Sequence, residues 1–160
     1  MFDLIFSIKE VDDVAGQLLG WVKREQGANS IHHQGPYAIS LSGSMGSGKT
    51  TLIRAMGKHL GCSPLPSSPT FSLIQNYLTA GGNQVVHADL FRLLDAREWL
   101  ALDPEMHYLD AEWLWVEWPD KAAAYMPKGM AQFELKAWNI AQNSTALMDQ
   151  RRLIFTGWVP

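Results

Sequence analysis

A glycine-rich stretch between an apolar run and a helical pattern is the feature that most constrains this chain. Residues 43–51 read G-S-M-G-S-G-K-T-T and match the pattern G-x-x-x-x-G-K-[ST] at Gly43, Gly48, Lys49 and Thr50. An apolar run at 37–41 precedes the stretch, and apolar residues with helical spacing follow it up to Leu60. A strand, a glycine loop and a helix in this order form the setting that a phosphate-binding loop requires. The alternative is a glycine turn that only caps a helix.

The residues of this loop have distinct expected roles. Glycines let the backbone turn its N–H groups inward, so that the loop and the helix N-terminus hold anionic phosphates. Lys49 would reach the β- and γ-phosphates, and the Thr50 hydroxyl would ligate Mg²⁺. We therefore expect a nucleoside triphosphate site formed by Gly43, Ser44, Met45, Gly46, Ser47, Gly48, Lys49, Thr50 and Thr51.

The composition fits a globular protein with one hydrophobic core. The chain has 160 residues, 47% of them hydrophobic, so we expect a single domain spanning 1–160. A formal charge of −3, without a run of Lys or Arg, argues against direct and tight nucleic-acid binding. The lone Cys62 cannot form an intrachain disulfide, as is typical of a reducing compartment. Charged residues near the N-terminus and the lack of a long apolar run predict a cytoplasmic protein with no membrane partner.

Hydrophobic periodicity predicts an α/β fold. An amphipathic helix is expected at 11–21, with Ser7 and Glu10 forming a capping box, and shorter helices at 95–102 and 106–111. Besides 37–41, strands are predicted at 71–77, 84–90, 113–116, 133–138 and 153–156. The predicted strands 71–77 and 84–90 are separated by a short turn, which predicts a hairpin. We therefore expect a mixed parallel and antiparallel sheet flanked by helices. Residues 62–69, with three prolines, are expected to form an exposed, irregular connection.

Two acidic residues end predicted strands and are candidates for Mg²⁺ binding and for orienting the attacking water. Glu117 ends the apolar run 113–116, and Asp89 lies in the sequence H-A-D-L-F-R. Ligands gather at the carboxyl ends of strands in open α/β sheets, so both carboxylates are expected near the loop. The alternatives are an exposed charge before Pro119 for Glu117 and a turn cap for Asp89.

Several other residues near these motifs invite a functional interpretation. Thr70, in S-P-T-F, would sense the γ-phosphate if the proline-rich connection runs near the loop, although a turn-forming threonine is the more common explanation. His87 is interpreted as a satisfied, partly buried side chain rather than as a base. Trp118 is expected near the nucleotide because it adjoins Glu117.

Taken in order, the motifs G-S-M-G-S-G-K-T-T, S-P-T-F, H-A-D-L-F-R-L and V-E-W-P resemble the TsaE family, formerly YjeE. The resemblance implies a small P-loop NTPase-like fold and an ATPase that uses ATP and Mg²⁺. It also implies the partner proteins TsaB and TsaD, which transfer threonylcarbamoyl to adenosine 37 of tRNAs reading codons that begin with A, so that tRNA is engaged only indirectly. By motif position, Lys49 and Thr50 would bind phosphate and Mg²⁺, Glu117 would ligate Mg²⁺, Asp89 would be a catalytic or metal-linked acid, and Thr70 a switch residue.

The sequence departs from the family pattern at a few positions. The family usually has Asp, Leu and Ala where Ser44, Met45 and Ser47 stand, and the polar segment 139–150 is longer than the usual hairpin turn. For an adenine pocket the candidates are Ser7, Glu10, Arg151 and Arg152.

Two other functions remain open at this point. A small-molecule or nucleoside kinase shares the glycine loop and the size, but usually closes an arginine-rich lid over the phosphates. After Glu117 the only arginines of this sequence are Arg151 and Arg152, which lie in a predicted closing strand. The second alternative is a nucleotide-gated interaction module in which hydrolysis is incidental.

Overall fold

A seven-stranded sheet lies at the centre of the computed structural model, which describes residues 1–28, 35–68, 72–138 and 149–160. The strands are β1 (Asp3–Ser7), β2 (Tyr37–Ser42), β3 (Ile74–Leu78), β4 (Gln84–Asp89), β5 (Trp113–Glu117), β6 (Ala131–Ala137) and β7 (Gln150–Trp158). The helices are α1 (Val11–Ala28), α2 (Lys49–His59), α3 (Ala96–Ala101) and α4 (Pro104–Tyr108). Two 3₁₀ segments, Ile8–Glu10 and Pro119–Tyr125, complete the described elements.

The sheet is mixed, with the strand order β1-β7-β6-β2-β5-β4-β3. Its central strands β6, β2, β5 and β4 run parallel to one another. The outer strands are antiparallel: β3 pairs with β4, β7 with β6, and β1 with β7. The carboxyl ends of β2, β5 and β4 therefore lie side by side at one edge of the sheet.

Each face of the sheet has its own hydrophobic cluster because side chains alternate along a strand. On one face, Leu18 of α1 and Leu52 of α2 pack with sheet residues such as Ile39. On the other face, Trp99 of α3 packs with sheet residues such as Leu114. Strand β5 is buried along its whole length, as the continuous apolar run predicts. Helices thus cover both faces, and the predicted α/β class with a mixed sheet is confirmed.

Helix α1 begins as predicted and extends seven residues further, to Ala28. The capping box is present, since the backbone N–H of Ser7 donates to Glu10 Oε2 at 2.7 Å. Helix α2 ends at His59, and Gly61 follows it with a φ of +68°, in agreement with its predicted capping position.

Some predicted element limits are wrong. Helix α4 begins at Pro104, since proline is favoured in the first turn of a helix, whereas the prediction started at 106. The predicted strand 71–77 begins only at Ile74, and β1 has no counterpart among the predicted strands.

The connection after α2 is irregular over its described part, residues 62–68, but it is not exposed throughout. Cys62 and Pro66 are buried. Gly57 of α2 leaves the space for Pro66, because a Cβ at Gly57 would lie 2.4 Å from Pro66 Cδ. The connection is therefore held against α2 by packing. Residues 29–34, 69–71 and 139–148, with most of the predicted polar segment, lie outside the described residues.

No helix within the described ranges is both long enough and apolar enough to cross a membrane.

Candidate nucleotide-binding site

The glycine loop lies between the carboxyl end of β2 and the first turn of α2. Three of its glycines have positive φ angles: +134° at Gly43, +75° at Gly46 and +104° at Gly48. L-residues rarely adopt these conformations, whereas glycine does so without steric cost. At Gly43 the packing is also tight, since a Cβ would lie 2.0 Å from the carbonyl oxygen of Leu135 in β6. The backbone path of the loop thus depends on glycine at the position where the motif requires it.

Lys49 is held inside the loop rather than extended into solvent. Only 4% of the residue is exposed, and Nζ donates to the carbonyl oxygens of Gly43 and Ser44, each at 2.9 Å. The same Nζ lies 3.8 Å from the ring centroid of Trp118, which is a cation–π distance. Burial lowers the pKa of Lys49, while the nearby carboxylates of Glu117 and Asp89 oppose this shift. The loop therefore contains a desolvated positive charge.

Thr50, Glu117 and His87 form a hydrogen-bonded chain across α2, β5 and β4, in which Glu117 and His87 are buried and Thr50 is half-buried. The Thr50 hydroxyl donates to the Glu117 carboxylate, with Oγ1 3.0 Å from Oε1 and 3.1 Å from Oε2. His87 Nε2 lies 3.0 Å from the same Oε1. Glu117 is 2% exposed and His87 is fully buried. This contact rejects the interpretation of Glu117 as an exposed charge before a turn.

Asp89 lies beside Glu117, because the two residues are register partners at the ends of β4 and β5. Its Oδ2 accepts from the Ser68 hydroxyl at 2.9 Å, and its Oδ1 accepts from the backbone N–H of Phe91 at 3.1 Å. The second bond is the turn cap considered as an alternative. Asp89 therefore caps the turn after β4 and also stands at the sheet edge next to Glu117.

Trp118 and Arg151 border the loop on two sides. Trp118 has a φ of +58°, and its ring centroid lies 5.0 Å from that of Phe91. Arg151 of β7 donates from Nε to the Ser47 carbonyl oxygen at 2.9 Å. The neighbouring Arg152 instead pairs with Asp3 of β1, with Nη2 2.6 Å from Oδ2. Of these two adenine-pocket candidates, only Arg151 contacts the loop through a described hydrogen bond.

The side chains around the loop could hold Mg²⁺ together with phosphates. Mg²⁺ prefers oxygen ligands and usually combines one or two carboxylates with substrate phosphates. The Thr50 hydroxyl and the Glu117 carboxylate are oxygen ligands of this kind, and Asp89 lies next to Glu117. In the part of the chain that the structure describes, no group of three or more His, Cys, Asp or Glu side chains could hold a metal ion. An Mg²⁺ ion held by Thr50 and Glu117 would complete its coordination with oxygen atoms of phosphates or of water.

The loop residues, Asp89 and Glu117 lie together at this edge of the sheet, whereas no described hydrogen bond joins Arg152 to the loop. The nine loop residues form one continuous turn that enters α2, in which Met45 is 72% exposed and Ser47 is buried. Thr70 lies outside the described residues, so its predicted switch role stays a prediction. His87 was interpreted as a partly buried strand residue, but it is fully buried and bonded to Glu117. The sequence signal that could have indicated this contact is the position of His87, a polar residue within the apolar run of β4 and two positions before Asp89.

Comparisons with known proteins find similar sequences. A family model described as threonylcarbamoyl adenosine biosynthesis protein TsaE matches residues 7–149. The tRNA threonylcarbamoyladenosine biosynthesis protein TsaE of Haemophilus influenzae is 28% identical over 113 residues, which cover 71% of each chain. The protein of the same name from Bacillus subtilis is 30% identical over 118 residues, 74% of this chain and 68% of the relative.

A solved structure supports the fold. The crystal structure of Bacillus subtilis YdiB matches 96% of this chain and 84% of its own chain, with a TM-score of 0.59. The sequence identity is 22%, so the likeness concerns the architecture. The mixed sheet flanked by helices is therefore an arrangement already known from an experimental structure.

Proposed function

Because the chain belongs to the TsaE family and so has a role in tRNA threonylcarbamoyladenosine biosynthesis, we propose that it is the ATPase of that process. It would bind and hydrolyse ATP with Mg²⁺ and so support threonylcarbamoyl transfer to adenosine 37 of tRNAs reading codons that begin with A. The observation that carries the proposal is the partly buried contact between the Thr50 hydroxyl and the Glu117 carboxylate beside the glycine loop. A glycine loop alone binds phosphate, but hydrolysis also needs ligands for Mg²⁺. The Thr50 hydroxyl and the Glu117 carboxylate would provide them.

The residues divide the work by their chemistry. The loop backbone and the first turn of α2 bind phosphate oxygens through N–H groups, and Lys49 adds a positive charge in a desolvated position. Thr50 and Glu117 hold Mg²⁺, which would neutralise phosphate charge. Asp89, next to Glu117, orients the attacking water or contacts the metal through water. Thr70 would respond to the γ-phosphate.

We infer the partner proteins from the resemblance to the family. Proteins equivalent to TsaD and TsaB would form the complex that this ATPase serves, in the cytoplasm, with tRNA bound by the complex rather than by this chain. The acidic charge balance supports this division of labour.

Nucleotide binding is tested with Lys49→Ala, and Lys58→Ala in the same helix is the matched control. Lys49 is buried in the loop, whereas Lys58 is exposed and pairs with Asp12. Loss of charge-assisted bonds to phosphate should lower ATP affinity about 100-fold, which corresponds to about 2.7 kcal/mol. Isothermal titration calorimetry with ATP and Mg²⁺ measures the change. Retained affinity in Lys49→Ala would reject the phosphate-site assignment.

Hydrolysis is tested with Asp89→Asn and Glu117→Gln. We expect both variants to bind ATP, Glu117→Gln with a higher Mg²⁺ requirement, while the hydrolysis rate in the presence of the partner complex falls by about 100-fold. The readouts are phosphate release and the level of modified tRNA in cells lacking the protein. If both variants restore modification, hydrolysis is dispensable and the protein is a nucleotide-gated interaction module. ADP formation in proportion to an added hydroxylated acceptor would instead indicate a kinase.

A further inference from the structure

His87 is a fully buried polar side chain that the proposed chemistry does not yet use. It lies in β4 among the buried residues Val85, Val86 and Ala88, and its register partners are Trp115 in β5 and Gln75 in β3. Its Nε2 lies 3.0 Å from Glu117 Oε1. Its Nδ1 has no hydrogen-bond partner among the described residues. Among the described residues, the imidazole therefore makes its hydrogen bond with Glu117.

The Glu117 carboxylate accepts hydrogen bonds from two side chains, one of them fully buried. An ionised carboxylate can only accept hydrogen bonds, so the imidazole donates from Nε2 and the Thr50 hydroxyl donates from Oγ1. Once the Thr50 proton points to the carboxylate, the oxygen lone pairs of Thr50 are left for other ligands. The orientation of Glu117 thus determines the orientation of Thr50, and His87 is bonded to Glu117 from the neighbouring strand.

A buried carboxylate needs such a partner. Glu117 is 2% exposed, and removing one donor from a buried charge is costly because water cannot replace it. Outer partners of metal-binding carboxylates fix the position of the ligand oxygens, and their loss typically weakens metal binding 10- to 100-fold.

We propose that His87 is a positioning residue of the nucleotide site: its Nε2–H bond holds the Glu117 carboxylate, and through it the Thr50 hydroxyl, in the orientation that Mg²⁺ binding requires. The inference rests on the proposed ATP and Mg²⁺ site. It assigns His87 no contact with the nucleotide and no proton transfer.

The test compares variants that differ in where a donor can be placed. A glutamine amide reaches the position of Nε2, whereas an asparagine amide reaches only that of Nδ1. His87→Gln should therefore keep the bond to Glu117, while His87→Asn and His87→Leu should lose it. Val86→Ala, a change at a buried neighbour in the same strand that packs on the other face, is the control for loss of stability alone.

The readout is ATP binding by calorimetry, first in EDTA and then over a series of Mg²⁺ concentrations. For His87→Leu and His87→Asn we expect unchanged affinity in EDTA and a 10- to 100-fold increase in the Mg²⁺ concentration that gives half of the full effect. His87→Gln and Val86→Ala should follow the wild type. In a Glu117→Gln background, His87→Leu should cause no further loss, since its effect passes through Glu117.

The outcomes separate this inference from the proposed function. Wild-type protein that binds no ATP with Mg²⁺ would refute both. Mg²⁺-dependent binding that is the same in wild type, His87→Asn and His87→Leu would overturn the inference alone and leave His87 as a structural residue. If His87→Leu does not fold, the comparison of His87→Gln with His87→Asn decides, and equal Mg²⁺ dependence of these two variants would count against the proposal.

Discussion

Among single residues, Gly43 has the strictest steric requirement in the glycine loop. Its φ of +134° is unfavourable for an L-residue, and a Cβ would lie 2.0 Å from the Leu135 carbonyl oxygen. Because that atom belongs to the backbone of β6, it cannot move away as a flexible side chain would. We expect Gly43→Ala to lower the free energy of unfolding by about 3 kcal/mol. Urea denaturation followed by tryptophan fluorescence measures this change.

Gly46→Ala is the matched control for this prediction. Gly46 also has a positive φ, +75°, but a Cβ at this position would meet none of the described residues within 4 Å beyond its two chain neighbours. Only the conformational cost remains, so the loss should be about 1–2 kcal/mol. If both variants lose the same free energy of unfolding, the close approach of Leu135 is not what excludes a side chain at position 43.

Most residues of the candidate site could be found from the sequence because they occur in local patterns. The loop residues Lys49 and Thr50 belong to one contiguous motif, and Asp89 and Glu117 each end an apolar strand. The contact of His87 with Glu117 could not be found in this way, because it joins residues 30 positions apart and depends on the pairing of β4 with β5. Whether Asp89 or Glu117 binds the metal directly also depends on the bound nucleotide, and it stays a prediction.

Among the secondary-structure elements, strand β5 and the start of helix α1 agree with the prediction, whereas the edge strand β1 has no predicted counterpart. Strand β5 and helix α1 bury apolar residues in a continuous or periodic pattern, which is a local signal. Strand β1 is an edge strand of five residues with two exposed positions, and it pairs with β7 at the other end of the chain. A short strand that is fixed by a distant partner leaves little trace in its own sequence.

Gln26 joins helix α1 to the sheet where strand pairing is incomplete. Its Nε2 donates to the carbonyl oxygens of Ala38 at 3.1 Å and Gly129 at 2.8 Å, and its Oε1 accepts from the Ala38 N–H at 3.1 Å. The described pairing of β2 with β6 begins one residue later, at Ile39. The Gln26 side-chain amide thus makes the two backbone hydrogen bonds that a neighbouring strand would otherwise make with Ala38.

Gln26→Leu tests this role. The substitution keeps an apolar stem of similar size but removes these hydrogen bonds from the buried backbone of Ala38 and from the Gly129 carbonyl oxygen, so the free energy of unfolding should fall by about 2–3 kcal/mol. Gln17→Leu is the control, since Gln17 is exposed on the same helix and its substitution should change stability by less than about 0.5 kcal/mol. Thermal and urea unfolding measure both. A loss in Gln26→Leu no greater than that in the control would contradict the role.

For the molecule as a whole, charge and family membership point to the same division of labour. The four motifs predicted the TsaE family, and the match over residues 7–149 confirms it. The chain carries 13 Lys and Arg residues against 16 Asp and Glu residues. Several of the cations are paired within the fold, such as Lys23 with Glu112 and Arg152 with Asp3. A protein with this balance has little attraction for a polyanion, whereas a role in tRNA modification requires that tRNA be bound by some component.

We therefore expect this chain alone to bind tRNA no more tightly than about 10⁻⁴ M at physiological salt, which is the weak end of non-specific binding. A gel shift with purified protein and unmodified tRNA, repeated at two salt concentrations, measures this. Addition of the threonylcarbamoyl transfer partners should produce a shifted complex, because those proteins would supply the phosphate contacts. The partner proteins without this chain are the control and should shift tRNA as well. A salt-dependent shift by this chain alone would show that a basic surface exists despite the net charge, and that this chain contacts tRNA directly.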